Sequence, residues 1–280
     1  MRILLLSWLL AVSAWAGTFP DTLVEKPLAK LSDQDYSDWG KLALAGNSEK
    51  WQHGETPHFV IHFFKSGQKV ATRAEEFYAE IREFFGNRTD LLGNRKSHIF
   101  AFQKEQDWDR FCNGIQMRGI AGVTRGNEFF YIATTDGVRF DSKGKVQAHE
   151  MTHLVFNRFY AGQVPLWLNE GIAEYFGQRK TSSTADFRKM MSMAANYDVD
   201  RLFSAIRYPA TPDEIRAFYA ESAIVVDFLT YTADRKPLLP KFVEALTTGQ
   251  SLEKALNVYG FADIEAFKSA YAKFRKTRYK

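Results

Sequence analysis

Val146-Gln147-Ala148-His149-Glu150-Met151-Thr152-His153-Leu154-Val155-Phe156 is the stretch on which the reading of this chain turns. Its spacing predicts a helix over residues 146–159. On a helix, positions i and i+4 share one face, so the imidazoles of His149 and His153 can both reach one zinc ion. Glu150 then projects beside that point, where a carboxylate can take a proton from metal-bound water. The plainer alternative is two satisfied histidines on an ordinary helix.

Outward from this helix the chain changes character. Upstream, residues 58–64 read as a strand, rich in β-branched and aromatic side chains. Val70, Ala74, Phe77, Ile81 and Phe84 follow at helical spacing, with Gly86 as the stop. Residues 98–102 and 129–133 read as two more strands, and 106–111 as a short helix. Residues 17–55 are mixed and polar, an irregular lead-in with short helices. Downstream, strand signals vanish and helical patterns cover residues 146–159, 169–177, 185–195, 217–234, 241–246, 252–259 and 264–274. Thr211-Pro212-Asp213-Glu214 adds a capping box with proline at the first helical position. The expectation is an α+β fold: a mixed-sheet lobe over residues 56–145, a helical lobe over 146–280, and the zinc site between them.

Composition sets the outer limits. The chain has 280 residues, 45% hydrophobic and 25% charged, enough apolar surface for a core and too much for disorder. A net charge of +4 is too slight and dispersed to argue for nucleic acid. Arg2, an apolar run and Ala14-Trp15-Ala16 fit a secretory signal peptide over residues 1–16, cut before Gly17. Residues 3–16 fall short of the roughly 20 needed to span a bilayer, so no stable membrane span is expected after cleavage. A secreted or periplasmic location follows as an expectation. The single cysteine, Cys112, allows no internal disulfide and reads as a small buried hydrophobe. Asn87-Arg88-Thr89 is a glycosylation sequon.

A second segment adds weight to the first. Pro165-Leu166-Trp167-Leu168-Asn169-Glu170-Gly171-Ile172-Ala173-Glu174-Tyr175 follows after a short connection. Zinc held by two histidines needs a third protein ligand and an open position for water. Glu170 lies far enough along for a second helix to run back past the first. Glu174, one turn further on the same face, can accept the free N–H of a ligand histidine. Read blandly, the two acids form a solvated helix face.

The pair of segments, H-E-x-x-H followed by W-L-N-E-G-x-A-E-Y, resembles the gluzincin metallopeptidases, the group of thermolysin and the aminopeptidase N-type enzymes. Within that group it looks most like the secreted peptidase-MA-like proteins. The resemblance implies a thermolysin-like fold and one zinc ion per chain held by His149, His153 and Glu170. It further implies Glu150 as catalytic base, Glu174 behind the first histidine, and a peptide or protein substrate. Aminopeptidases of the group donate to the oxyanion from a tyrosine in Y-x-K-G. Phe218-Tyr219-Ala220-Glu221-Ser222 matches this loosely and makes Tyr219 the candidate, against a core aromatic beside Phe218. The G-x-M-E-N segment that captures a free amine is missing, and Glu128 is the nearest substitute. The apolar strand at 129–133 could instead be the sheet edge on which an extended substrate lies.

Other histidines read as structural. His58 and His62 share a strand face but sit roughly 13 Å apart at the usual rise, too far for one metal. His53 and His98 have no partner in sequence. Lys273, Arg275, Lys276, Arg278 and Lys280 read as a solvated helix end. Two functional readings remain beside the peptidase: a non-catalytic zinc-containing binding or assembly module of the cell envelope, and a metal-free helical interaction domain.

Overall fold

The computed structural model describes residues 23–46, 50–86, 88–133, 144–160, 164–181, 184–193 and 197–279. The expected signal peptide and Asn87 of the sequon lie outside them. The strands are β1 (Val24–Glu25), β2 (Gln52–Glu55), β3 (Phe59–Phe63), β4 (Ser97–Phe102), β5 (Gly122–Arg125) and β6 (Glu128–Ile132). The helices are α1 (Asp38–Ala45), α2 (Gly67–Phe84), α3 (Glu105–Gly114), α4 (Lys145–Tyr160), α5 (Leu166–Thr181) and α6 (Thr184–Met193). They continue as α7 (Val199–Ser204), α8 (Pro212–Thr230), α9 (Leu239–Thr247), α10 (Leu252–Leu256) and α11 (Ile264–Arg278).

The fold is α+β, as expected: one mixed six-stranded sheet, ordered β1-β2-β3-β4-β6-β5, followed by helices. β3, β4 and β6 run parallel in its centre, while β1, β2 and β5 add antiparallel edges. The central strands are buried on both faces, which is why they read as nearly continuous apolar runs. Alternation then assigns the two faces. Phe59, Ile61, Phe63, Ile99, Ala101, Phe129 and Tyr131 join the main core with α2, α4 and the downstream helices. Phe100, Phe102, Phe130 and Ile132 join a second core with Trp51, Ala43 of α1, and Trp108 and Phe111 of α3.

Two sequence expectations need correction here. The lead-in is not wholly irregular, because β1 and β2 extend the sheet beyond β3. Strand β2 reads Gln-His-Gly-Glu, so neither apolar alternation nor β-branched residues announce it. The strand at 129–133 is also not the sheet edge. It lies between β4 and β5, and β5 is the outer strand. The missed strand is turned back by Gly126-Asn127, with Gly126 in the left-handed region at φ +59°.

In the helical half, α5 packs between α4 and α8. A Cβ on Gly171 would lie 2.5 Å from the Ser222 carbonyl oxygen, so the glycine sets how closely α5 approaches α8. Helix α8 starts where the capping box predicts: Thr211 accepts from the Glu214 N–H, and Pro212 stands in the first turn. The basic C-terminal helix is not simply solvated. Tyr271 donates to Glu221 at 2.5 Å and Arg275 donates to its other oxygen at 3.1 Å. Tyr279 donates to Asp227 at 2.9 Å, with Arg278 at 3.7 Å. Helix α11 is thereby clamped onto buried acids of α8.

On the sheet face away from α4, the histidines that lack sequence partners form a row. Asp33 accepts from His98 Nε2 at 3.4 Å, and His98 Nδ1 shares a hydrogen bond with His62 Nε2 at 3.3 Å. His62 Nδ1 in turn shares a hydrogen bond with His53 Nδ1 at 2.8 Å. The strands create the row by register, pairing His53 opposite His62.

Candidate metal centre

His149 and His153 stand one turn apart on α4, and Glu170 meets them from α5. The two imidazole Nε2 atoms are 3.1 Å apart, and Glu170 Oε2 lies 3.4 Å from the first and 3.5 Å from the second. A tetrahedral ion with bonds of about 2.0–2.1 Å separates its ligand atoms by about 3.3 Å, so the triangle has the size zinc requires. Glu170 Oε2 is buried and accepts no well-formed hydrogen bond. These three residues form a group that could hold a metal ion. Nitrogen and carboxylate donors in this arrangement fit zinc.

The surrounding charges favour a cation. Burial opposes an imidazolium at His149, but the nearby carboxylates of Glu170 and Glu174 outweigh it and raise the pKa well above the ordinary value. His153 is raised too, because the Glu170 carboxylate outweighs burial. The acids respond in the opposite sense. Burial works against their charge, yet the histidines hold Glu170 far below the usual carboxylate range and bring Glu174 down to about 2. A field that attracts protons onto the imidazoles attracts a metal cation equally.

Each of the three side chains is oriented from behind. His149 Nδ1 is 3.4 Å from Glu174 Oε1, whose other oxygen accepts from Gln178 at 3.0 Å. His153 Nδ1 donates to Asn169 Oδ1 at 3.0 Å. Glu170 Oε1 accepts from the Tyr208 hydroxyl at 2.5 Å. With each Nδ1 facing its own oxygen partner, both Nε2 atoms face the centre.

Glu150 is buried against the edge strand. The Thr124 hydroxyl of β5 donates to Glu150 Oε2 at 2.8 Å. A Cβ on Gly122 would come within 2.7 Å of Val146 Cγ1 and 3.0 Å of Glu150 Cγ, so the missing side chain makes room for the carboxylate. Tyr219 lies half-buried with its ring 6.2 Å from that of His149, and it stacks on Tyr208 at 6.1 Å. The structure thus gathers His149, Glu150, His153, Glu170, Glu174 and Tyr219 in one place.

Glu128 is not among them, which corrects its reading as a substrate contact. It shares its strand parity with Phe130 and Ile132, on the sheet face opposite α4. Its carboxylate is buried and accepts from the Ser37 N–H at 2.8 Å and from the Ser37 hydroxyl. A Cβ on Gly40 would collide with it. Glu128 therefore anchors the start of α1 from within the core.

Sequence reasoning missed Thr124, Gly122, Tyr208 and the role of Asn169. The Gly126-Asn127 turn was a signal for β5, and hence for Thr124. Nothing local marks Tyr208, which arrives from 38 positions beyond Glu170.

No curated protein matches the chain. The sequence profile of the Peptidase MA superfamily matches residues 122–277, from β5 and β6 through the whole helical half. More than half of the chain lies within that match, and it belongs to the Peptidase MA superfamily.

Proposed function

We propose that this chain is a secreted zinc-dependent metallopeptidase of the gluzincin type, holding one zinc ion per chain through His149, His153 and Glu170. The observation that carries this reading is the triangle of donor atoms with Glu170 Oε2 unpartnered inside it and Glu150 alongside. When bound, zinc supplies Lewis acidity that polarises a scissile carbonyl and lowers the pKa of a coordinated water towards about 7.

The chain's own residues do the rest. Glu150, held by Thr124, accepts the proton that the attacking water loses and returns it to the leaving amine. Burial and the Glu170 charge push the Tyr219 pKa up, so its hydroxyl stays protonated and donates to the developing oxyanion. Strand β5, the outermost on that side among the described residues, runs beside Glu150 and offers its backbone edge to an extended peptide. Glu128, turned to the other face, supplies no carboxylate for a free amine, which favours endopeptidase over aminopeptidase action.

The test compares the wild type with Glu150→Gln on a peptide library, with zinc measured in both. The expected outcome is about 10²–10⁴-fold slower cleavage by a variant that keeps its metal. Undiminished turnover in the zinc-loaded variant contradicts the mechanism. Secretion is tested separately, by a mature N-terminus at Gly17.

A further inference from the structure

We infer that Tyr208 is the positioning residue of the metal centre: its hydroxyl occupies Glu170 Oε1, so that Glu170 presents only Oε2 to the ion. The inference rests on the zinc reading above.

Helix α5 provides outer partners for the two histidines from its own sequence, Asn169 for His153 and Glu174 for His149. A partner for Glu170 must come from another segment. The connection between α7 and α8 supplies it, in the Tyr208 hydroxyl at 2.5 Å from Oε1. The two oxygens of Glu170 are then unlike. One is satisfied by a phenol, while the other is buried, unpartnered and aimed between two imidazole nitrogens. A carboxylate with both oxygens free can swing between one-oxygen and two-oxygen binding, and a hydrogen bond to one oxygen removes that choice.

The Tyr208 ring stacks on that of Tyr219, with centroids 6.1 Å apart and an interplanar angle of 29°. The residue that fixes the third ligand thus stands beside the proposed oxyanion donor, while its own hydroxyl is committed to Glu170. Tyr208 therefore acts on the metal, and Tyr219 on turnover.

Tyr208 is half-exposed, so Tyr208→Phe keeps the ring stack and removes only the hydroxyl. The experiment measures zinc affinity by competition with a chromogenic chelator for the wild type, Tyr208→Phe and Tyr219→Phe. It also records the visible absorption of the cobalt(II)-substituted proteins, whose intensity falls as coordination number rises. Expected are a 10–100-fold loss of zinc affinity and an altered cobalt spectrum in Tyr208→Phe, against near wild-type values for both in Tyr219→Phe. Zinc affinity of Tyr208→Phe within about threefold of wild type overturns the inference and leaves the peptidase reading standing. Weaker binding with an unaltered cobalt spectrum also overturns it, since loosened packing then accounts for the loss. A wild type that binds no zinc overturns both.

Discussion

Glu174 shows how much at this site depends on single side chains. It touches no other member of the triangle than His149, yet the hydrogen bond between them helps hold its carboxyl down at about 2. Removing it leaves the His149 ring free to turn and its Nδ1 proton unaccepted. Glu174→Ala is therefore expected to weaken zinc binding by about 10–100-fold. Titration with a competing chelator checks this, and unchanged affinity would show that the ring is held by packing alone. His149, Glu150, His153, Glu170 and Glu174 were all legible in the sequence: helical spacing puts His149 and His153 on one face and Glu174 one turn beyond Glu170, and the resemblance of the two motifs implies the roles of the three acids. Tyr208 was not, since its approach to Glu170 depends on how a distant connection folds over α5.

At the scale of elements, two glycines govern how neighbours approach the site. Gly171 lets α5 lie against α8, with backbone rather than a flexible side chain on the far side. Gly171→Ala would gain about 1 kcal/mol of helix propensity but overpack a contact that costs about 1–3 kcal/mol, so a net loss of stability is expected. Denaturant unfolding gives the sign directly. Gly122 acts on chemistry instead, because a methyl there pushes on Glu150. Gly122→Ala is expected to lower kcat by about 10–100-fold with zinc still bound, since a displaced base loses its geometry. Full activity in that variant would mean that the position of Glu150 does not depend on β5. The long helices and buried central strands were legible from periodicity, which reports burial. The short strands β1, β2 and β5 were not, because Gly122-Val123-Thr124-Arg125 and Gln52-His53-Gly54-Glu55 gain their strand character from the partners they pair with.

Across the whole molecule, the two sheet faces separate two kinds of histidine. Those of α4 face carboxylates that attract protons or metal. In the row on the far face His62 and His98 are buried and His53 is half-buried, and the acid in contact with it, Asp33, meets only the His98 end, at 3.4 Å. Burial lowers the His62 pKa well below its ordinary value, with His98 and His53 adding to the effect, and burial also lowers His98 and His53. An unfolded chain binds protons below about pH 6.5 that the folded row refuses. The row's contribution to stability is thus fully present above pH 6.5 and is lost as the pH falls below it. The difference in unfolding free energy between wild type and His62→Gln cancels the groups common to both proteins. It is expected to shrink between pH 7.5 and 5.5, and a constant or widening difference would mean the row is protonated when folded.

The central claim is that α4 and α5 together build a three-ligand zinc site. Metal mass spectrometry of the purified mature protein, beside Glu170→Ala, addresses it most directly. The expected result is one zinc per chain in the wild type, lost or much weakened in the variant. No zinc in the wild type after reconstitution, or equal zinc in both proteins, would contradict it.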